Sequence, residues 1–292
     1  MSILLDAIKA ARPNLSASSL KTYASVLGSL HRKVFGTELH LNDFEEVDRI
    51  LHFLRDKPAA SRKTILAALV VLTSNDKFRT AMSHDIVTYN EDIAKQVASP
   101  AQKAAEISPD EIRAIYEKLV IDTSQLWTKK HQTVSDLLAI QDSVILALLG
   151  GMFLAPRRSL DFCAMKIKNV DKEGNYIEKT NLIFNSYKPA TTYGRQVVTV
   201  PKELAAILKR WIKIDPSDFL LFDSRFQPLT SVKLNQRLNR IFGGRRISIN
   251  ALRHSYLTSK FTAFSKEQKE VAATMSAMGS SPAVLNSYVK LS

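Results

Sequence analysis

At 292 residues, 45% of them hydrophobic, the chain is long enough for two domains with separate cores, and its single cysteine, Cys163, excludes an internal disulfide or a cysteine zinc cluster. No secretory leader opens the sequence and its longest apolar run, Val144 to Leu154, is too short for a bilayer, so a soluble intracellular protein with no membrane partner is expected. Its 41 basic and 28 acidic residues give +13; residues 1–100 supply +2 (13 against 11) and residues 101–292 supply +11 (28 against 17), so a polyanion partner is expected mainly of the later part.

Residues 1–98 read as a helical domain. Hydroxyls at Ser16, Ser18 and Ser19 offer an N-cap before Tyr23, Val26, Leu27 and Leu30, which recur at helical spacing. Val47, Ile50, Leu51 and Leu54 repeat the pattern before Pro58, and Ile65 to Leu72 forms a third apolar face. Basic residues flank these stripes (Lys21, Arg32, Lys33, Arg62, Lys63, Lys77 and Arg79) and read either as a solvated face or as contacts to a polyanion. Residues 99–109 read as a linker, because Pro100, Pro109 and several small polar residues oppose one continuous helix. Ser108-Pro109-Asp110-Glu111 supplies an N-cap, a proline at the first helical position and acids in the first turn, so a second domain is expected over 110–292.

That domain opens helical, through Ile112–Val120 and Leu137–Leu149. The period then changes. Tyr176-Ile177, Asn181 to Phe184 and Gln196 to Val200 are short β-rich runs separated by turn residues. Pro201-Lys202-Glu203 opens a further helix through Trp211, and from Thr230 the pattern is helical to near the end. The expected fold class is α+β, mainly α with one small antiparallel β-sheet. Cys163, in an apolar stretch, reads as a small buried hydrophobe.

Four segments of the second part hold residues suited to phosphoryl chemistry. In Ala155-Pro156-Arg157-Arg158-Ser159-Leu160-Asp161, Arg158 precedes Asp161 by three positions, a spacing that also fits an ordinary helical ion pair. Arg157 is the fallback, and otherwise faces solvent or positions a phosphate. Lys188 lies in Tyr187-Lys188-Pro189-Ala190-Thr191-Thr192-Tyr193-Gly194-Arg195, between two β-rich runs. A lysine can give up a proton, which an arginine effectively cannot, although an ordinary hairpin lysine looks the same. In Asn250-Ala251-Leu252-Arg253-His254-Ser255-Tyr256, the residues Leu252, Ser255 and Tyr256 form an inward face, and His254 sits about 100° round the helix from Arg253. Finally, Met278-Gly279-Ser280-Ser281-Pro282 leads to Tyr288, whose phenolate can attack phosphorus and hold it as an ester, or can simply anchor a last helix.

Taken in this order, the segments resemble the boxes of the tyrosine recombinases, the family of phage integrases and related DNA strand-transferases. The resemblance covers about 105–292 well and 1–95 in general character. It implies a clamp on double-stranded DNA, with 1–98 as a helical core DNA-binding domain and 110–292 as the catalytic domain. Tyr288 would be the nucleophile, giving a 3′-phosphotyrosine and a free 5′-hydroxyl; Arg158 and Arg253 would clamp the phosphate, and Lys188 would protonate the departing 5′-oxygen. Asn250 and Ser280 stand where the family carries histidines. Both can hydrogen-bond a phosphoryl oxygen, but neither brings a histidine's charge.

The implied partners are duplex DNA and further copies of the chain, as a tetramer on that DNA. No cofactor is implied, since the ester stores the bond energy and arginines do the work of a metal. Consistent with that expectation, no phosphate-cradling Gly-x-x-x-x-Gly-Lys loop is present and the six histidines show no metal-ligand spacing. Lys188 with Thr192-Tyr193-Gly194, and Tyr288-Val289-Lys290, look closer to recombinases of eukaryotic mobile elements and large DNA viruses than to bacterial ones. Two other readings stay open: a type IB topoisomerase-like enzyme, and a sequence-specific DNA-binding protein that no longer cuts.

Overall fold

The computed structural model describes residues 2–36, 38–188 and 190–285, and divides into two units, Met1–Ala98 and Ser99–Ser292. Within the described residues of the first, five α-helices follow one another: α1 (Ser2–Ala11), α2 (Ala17–Val34), α3 (Val47–Leu54), α4 (Ala59–Thr73) and α5 (Asp76–Ala94). Ser16 caps α2 by accepting from the Ser19 amide at 3.1 Å, and Asn75 caps α5 by accepting from Lys77 at 2.9 Å. Each cap satisfies a first-turn donor that has no partner inside the helix. Leu4, Leu27, Phe44, Ile50, Leu66 and Phe78 are buried together as one core.

Two polar pairs sit in or beside that core. Asp85 of α5 is fully buried and takes both arms of Arg62 from α4, Nε at 2.8 Å and Nη2 as well. The bond to Asp85 raises the guanidinium's pKa. Arg62 is therefore committed to holding two helices together. Buried His31 lies 2.6 Å from Asp43, Nε2 to Oδ2, and this hydrogen bond holds the Asp43 carboxyl below its ordinary range.

The second unit starts inside the stretch read as a linker. There α6 (Pro100–Ala104) is nucleated by a reciprocal cap between Ser99 and Gln102, and Ile107 is buried in the unit's core. Ser108 then opens α7 (Pro109–Asp122) by accepting from the Glu111 amide at 3.1 Å, with the proline in the first turn as its sequence predicts. The central helix is α8 (Val134–Leu149), in which every residue from Ile140 to Leu149 is buried. Among the described residues, no helix is long and apolar enough to cross a membrane. The polar residues of α8 are matched. Gln141 exchanges two hydrogen bonds with the Phe222 backbone, at 2.8 and 3.0 Å. Asp142 receives Arg237 Nε at 2.8 Å and Arg240 Nη2 at 3.0 Å.

After α9 (Ser159–Cys163) come the strands β1 (Tyr176–Glu178), β2 (Asn181–Phe184) and β3 (Gln196–Thr199), with α10 (Ala190–Tyr193) between the last two. They form a three-stranded antiparallel sheet with β2 central, Tyr176 facing Ile183 and Phe184 facing Gln196. Leu182 and Phe184 join the core against α8 and α11 (Lys202–Ile214), where Trp211 donates from Nε1 to the Leu220 carbonyl at 2.9 Å. Then come α12 (Ser231–Ile241) and α13 (Ile249–Ala277). Only Ile249, Leu252 and Met275 of α13 are buried; from Leu257 to Thr274 its residues are exposed apart from half-buried Ser265 and Val271. A short 3₁₀ turn, Pro282–Val284, packs back against α13. The class is the expected one, mainly helical with one small antiparallel sheet.

Asp215, just past α11, is 2% exposed; its Oδ1 accepts from the Ser217 amide at 2.7 Å, while Oδ2 is buried without a partner among the described residues. Burial pushes its pKa up to about 6. Between about pH 4 and 6 the folded chain therefore holds a proton that the unfolded chain has released, so this group's contribution is full below about pH 4 and is lost as pH rises through 6. Asp215→Asn keeps the Oδ1 acceptor. It is expected to raise unfolding free energy by on the order of 1 kcal/mol at pH 7.5, with the gain vanishing near pH 4, as read from denaturant midpoints. A variant less stable than wild type at pH 7.5 would show a charged, paired carboxylate instead.

Candidate functional site

The chain leaves α8 through Gly151, whose φ of +82° lies in the left-handed region, and a Cβ built there would stand 2.8 Å from Cδ2 of Tyr256. The glycine thus lets the loop after α8 lie directly against the second turn of α13. A few residues later Arg158 is the N-cap of α9, with extended backbone (φ −71°, ψ 154°) and an exposed side chain. That side chain makes no hydrogen bond or ion pair among the described residues.

The neighbouring arginine does the holding. Arg157 Nε donates to Asp161 Oδ2 at 2.9 Å and Nη1 to Gln196 Oε1 at 2.8 Å, while its guanidinium stacks 3.9 Å from the Phe184 ring centre. Asp161 therefore pairs with Arg157 at four positions' separation, and the three-residue pair of Arg158 with Asp161 that the spacing allowed does not form. The reason is local. As the N-cap, Arg158 has left helical geometry, and the buried Asp161 side chain is already taken.

Lys188 is exposed in the connection between β2 and β3, four residues beyond the end of β2 at Phe184. The Tyr187 hydroxyl donates to the Gly194 carbonyl at 2.6 Å, closing that connection on itself. At the start of α13, Ser248 caps the helix, Asn250 is exposed and Arg253 half-buried. Neither the Asn250 nor the Arg253 side chain has a hydrogen-bond or ion-pair partner among the described residues, and His254 faces solvent.

These contacts join three of the predicted segments. Arg157 ties the Arg158 segment to β3 and to the Lys188 connection, where its guanidinium also lies 5.2 Å from the Tyr187 ring centre. Gly151 and Tyr256 tie the same loop to the helix that bears Arg253. Ser280 is placed elsewhere. Gly279, with φ +69°, ends α13, and the Ser280 amide donates to the Met275 carbonyl at 2.8 Å. From Arg253 to Met275 the helix runs about 33 Å at roughly 1.5 Å per residue, so Ser280 and Arg253 are not brought together. Tyr288 lies outside the described residues.

Burial, with the charge of Asp161 adding to it, pushes the Cys163 thiol up to about 12, which suits the packing residue read from the sequence and not a nucleophile. The holding contacts of Arg157 had no signal in the sequence, since Phe184 and Gln196 lie far along the chain from it. Gly151 could have been found, as one of two consecutive glycines closing an apolar helix.

No protein-family model matches the chain, and no curated protein matches it in sequence. Solved structures do match in fold. A lambda integrase dimer bound to a COC′ core site aligns at 19% identity and TM-score 0.50, covering 91% of this chain and 71% of that one. XerH site-specific recombinase, bound to difH substrate in a pre-cleavage complex, aligns at 17% identity and TM-score 0.50, covering 90% and 74%. This chain, mainly helical with one small antiparallel sheet, has the fold of the tyrosine recombinases and integrases.

Proposed function

We propose that the protein is a site-specific DNA recombinase or integrase that breaks and rejoins strands through a 3′-phosphotyrosine. The observation that carries the reading is the pair Arg158 and Arg253. Both are arginines whose side chains have no partner among the described residues, on segments that meet where Gly151 packs against Tyr256. A buried or surface structural arginine normally finds a carboxylate or carbonyl; two left unpaired at one junction suit an anion from outside the chain. The +11 excess beyond residue 100 supports a DNA partner, as do the DNA-bound relatives in fold, one of them a dimer.

In this reading the Tyr288 hydroxyl gives its proton to water as Oη attacks phosphorus, the bond to the 5′-oxygen breaks, and that oxygen takes a proton from Lys188 Nζ. A 5′-hydroxyl from a partner strand then reverses the step. Arg158 and Arg253 clamp the non-bridging oxygens and Asn250 acts as an uncharged donor to them, while Ser280, at the far end of α13, could serve them only from another copy of the chain or after that helix bends. The domain roles follow: 1–98 grips DNA from one side as a helical core-binding domain, 110–292 carries the chemistry, and copies of the chain assemble on the duplex.

The test uses a duplex selected by the protein from a randomised pool and nicked so that cleavage cannot reverse. Wild type is expected to give a protein–DNA band that survives SDS, and Tyr288→Phe to give none while still binding. Adducts from the phenylalanine protein would overturn the nucleophile. Tight binding with no adduct from wild type would favour the second reading, a DNA-binding protein that no longer cuts, to which the missing histidines at Asn250 and Ser280 already point.

A further inference from the structure

We propose that Asn175 is a positioning residue that fixes the proton-donating lysine relative to the first phosphate-clamping arginine; this rests on the phosphotyrosine reading above. Asn175 is 7% exposed, at the start of the sheet beside β1. Its Nδ2 donates to the Asp161 carbonyl at 2.9 Å and to the Ser186 carbonyl at 2.8 Å. Its Oδ1 accepts from the Asn185 amide at 2.9 Å and the Ser186 amide at 2.8 Å. A carboxamide has two donor hydrogens and two acceptor lone pairs, so all four are used inside the protein.

What those bonds connect is the point. Asp161 lies in the single-turn helix whose N-cap is Arg158, and the Asp161 amide donates to the Arg158 carbonyl at 3.1 Å. Ser186 is two residues before Lys188. One side chain therefore sets the distance between the backbone under Arg158 and the backbone under Lys188. Asn185 reinforces it, donating from Nδ2 to the Lys172 and Gly174 carbonyls at 2.7 and 3.1 Å, which ties the start of the connection to the turn that carries Asn175. Lys188 itself has no hydrogen-bond partner among the described residues, so its placement is inherited from this backbone.

A donor moved by about an ångström from a reacting atom loses on the order of 10²-fold in rate. The step that suffers is protonation of the leaving 5′-oxygen, and chemistry can bypass it. With sulfur at that position the P–S bond breaks to a thiolate, which departs without a proton because a thiol is far more acidic than an alcohol.

Full-length wild type, Asn175→Ala, Lys188→Ala and Arg158→Ala would each be given the nicked duplex with oxygen or with sulfur at the scissile 5′ position. Asn175→Ala and Lys188→Ala are expected to be slower by about 10²-fold on oxygen and to come within about threefold of wild type on sulfur, with Arg158→Ala slow on both. Asn175→Ala slow on both duplexes, or normal on both, overturns the proposal, as does a Lys188→Ala protein that sulfur fails to rescue. Thermal melting checks folding, and Asn175→Ser, which keeps a hydroxyl in the pocket, replaces the alanine protein if that does not fold. Wild type that forms no adduct on either duplex overturns the phosphotyrosine reading and this proposal together, an outcome distinct from a wild type that cuts while Asn175→Ala ignores the sulfur.

Discussion

Arg253→Ala is expected to slow adduct formation by at least about 10²–10³-fold while leaving the thermal midpoint within a degree or two of wild type. The two halves of that expectation have one cause. Arg253 is half-buried and its side chain has no partner among the described residues, so truncating it takes no side-chain hydrogen bond from the fold. In the proposed mechanism it removes a two-pronged donor for charge that grows on phosphorus-bound oxygens as the tyrosine attacks. Arg253→Lys returns the charge without the fork and is expected to recover only part of the rate. Arg158→Ala should behave in the same way, being exposed and unpaired. Arg157→Ala is the contrast: it breaks the bonds to Asp161 and Gln196 and the stack on Phe184, so it should lose stability as well as rate. If Arg157→Ala abolished cleavage with an unchanged midpoint while Arg158→Ala cut normally, the clamp would belong to Arg157.

The largest effect on stability is expected at Asp142. Its carboxylate, on the central helix, is the anion for Arg237, whose side chain is 11% exposed, and it also receives Arg240. Burial already pulls the Arg237 guanidinium below its ordinary pKa, with Asp142 opposing. Asp142→Ala leaves that cation buried and uncompensated, a change that typically costs about 3–5 kcal/mol. The double variant Asp142→Leu with Arg237→Met should recover most of the loss, because it removes both desolvated charges at once. Urea midpoints of the two proteins and wild type decide the matter: a single-variant loss below about 1 kcal/mol would mean that water reaches the pair.

Much of the architecture could be read along the chain where a local signal had one meaning. Ser16 and Ser108-Pro109 cap helices as their chemistry dictates, and the three β-rich runs pair as strands within a residue or so of the expected ends. The long polar helix α5 was not legible, since of its residues only Phe78 and Asp85 are buried and the burial of Asp85 depends on Arg62 from another helix. Residues 99–109 look like a linker because prolines and serines mark helix starts as readily as they mark loops, and here Ser99 and Ser108 each start one. At the site, the arginines stood out by spacing, yet which of Arg157 and Arg158 would be tied down depended on Gln196 and Phe184, about thirty to forty positions away. Asn175 depended on contacts with Asp161 in α9 and with Asn185 and Ser186 just past β2. Such residues are defined by what surrounds them in space, and no period or motif encodes that.

The unbroken length of α13 bears on how many molecules one cut requires. Arg253 sits in its second turn, and Ser280 folds back on Met275 near its far end, about 33 Å along the axis at roughly 1.5 Å per residue. That is several times the reach of any side chain, so a single phosphate cannot touch both on one straight rod. If Ser280 serves the phosphate that Arg253 clamps, as the proposed mechanism has it, either the helix breaks between them on DNA or the two come from different chains. In the second case stoichiometry becomes part of the chemistry: a lone protomer would hold its duplex intact, and only a neighbour would license the break.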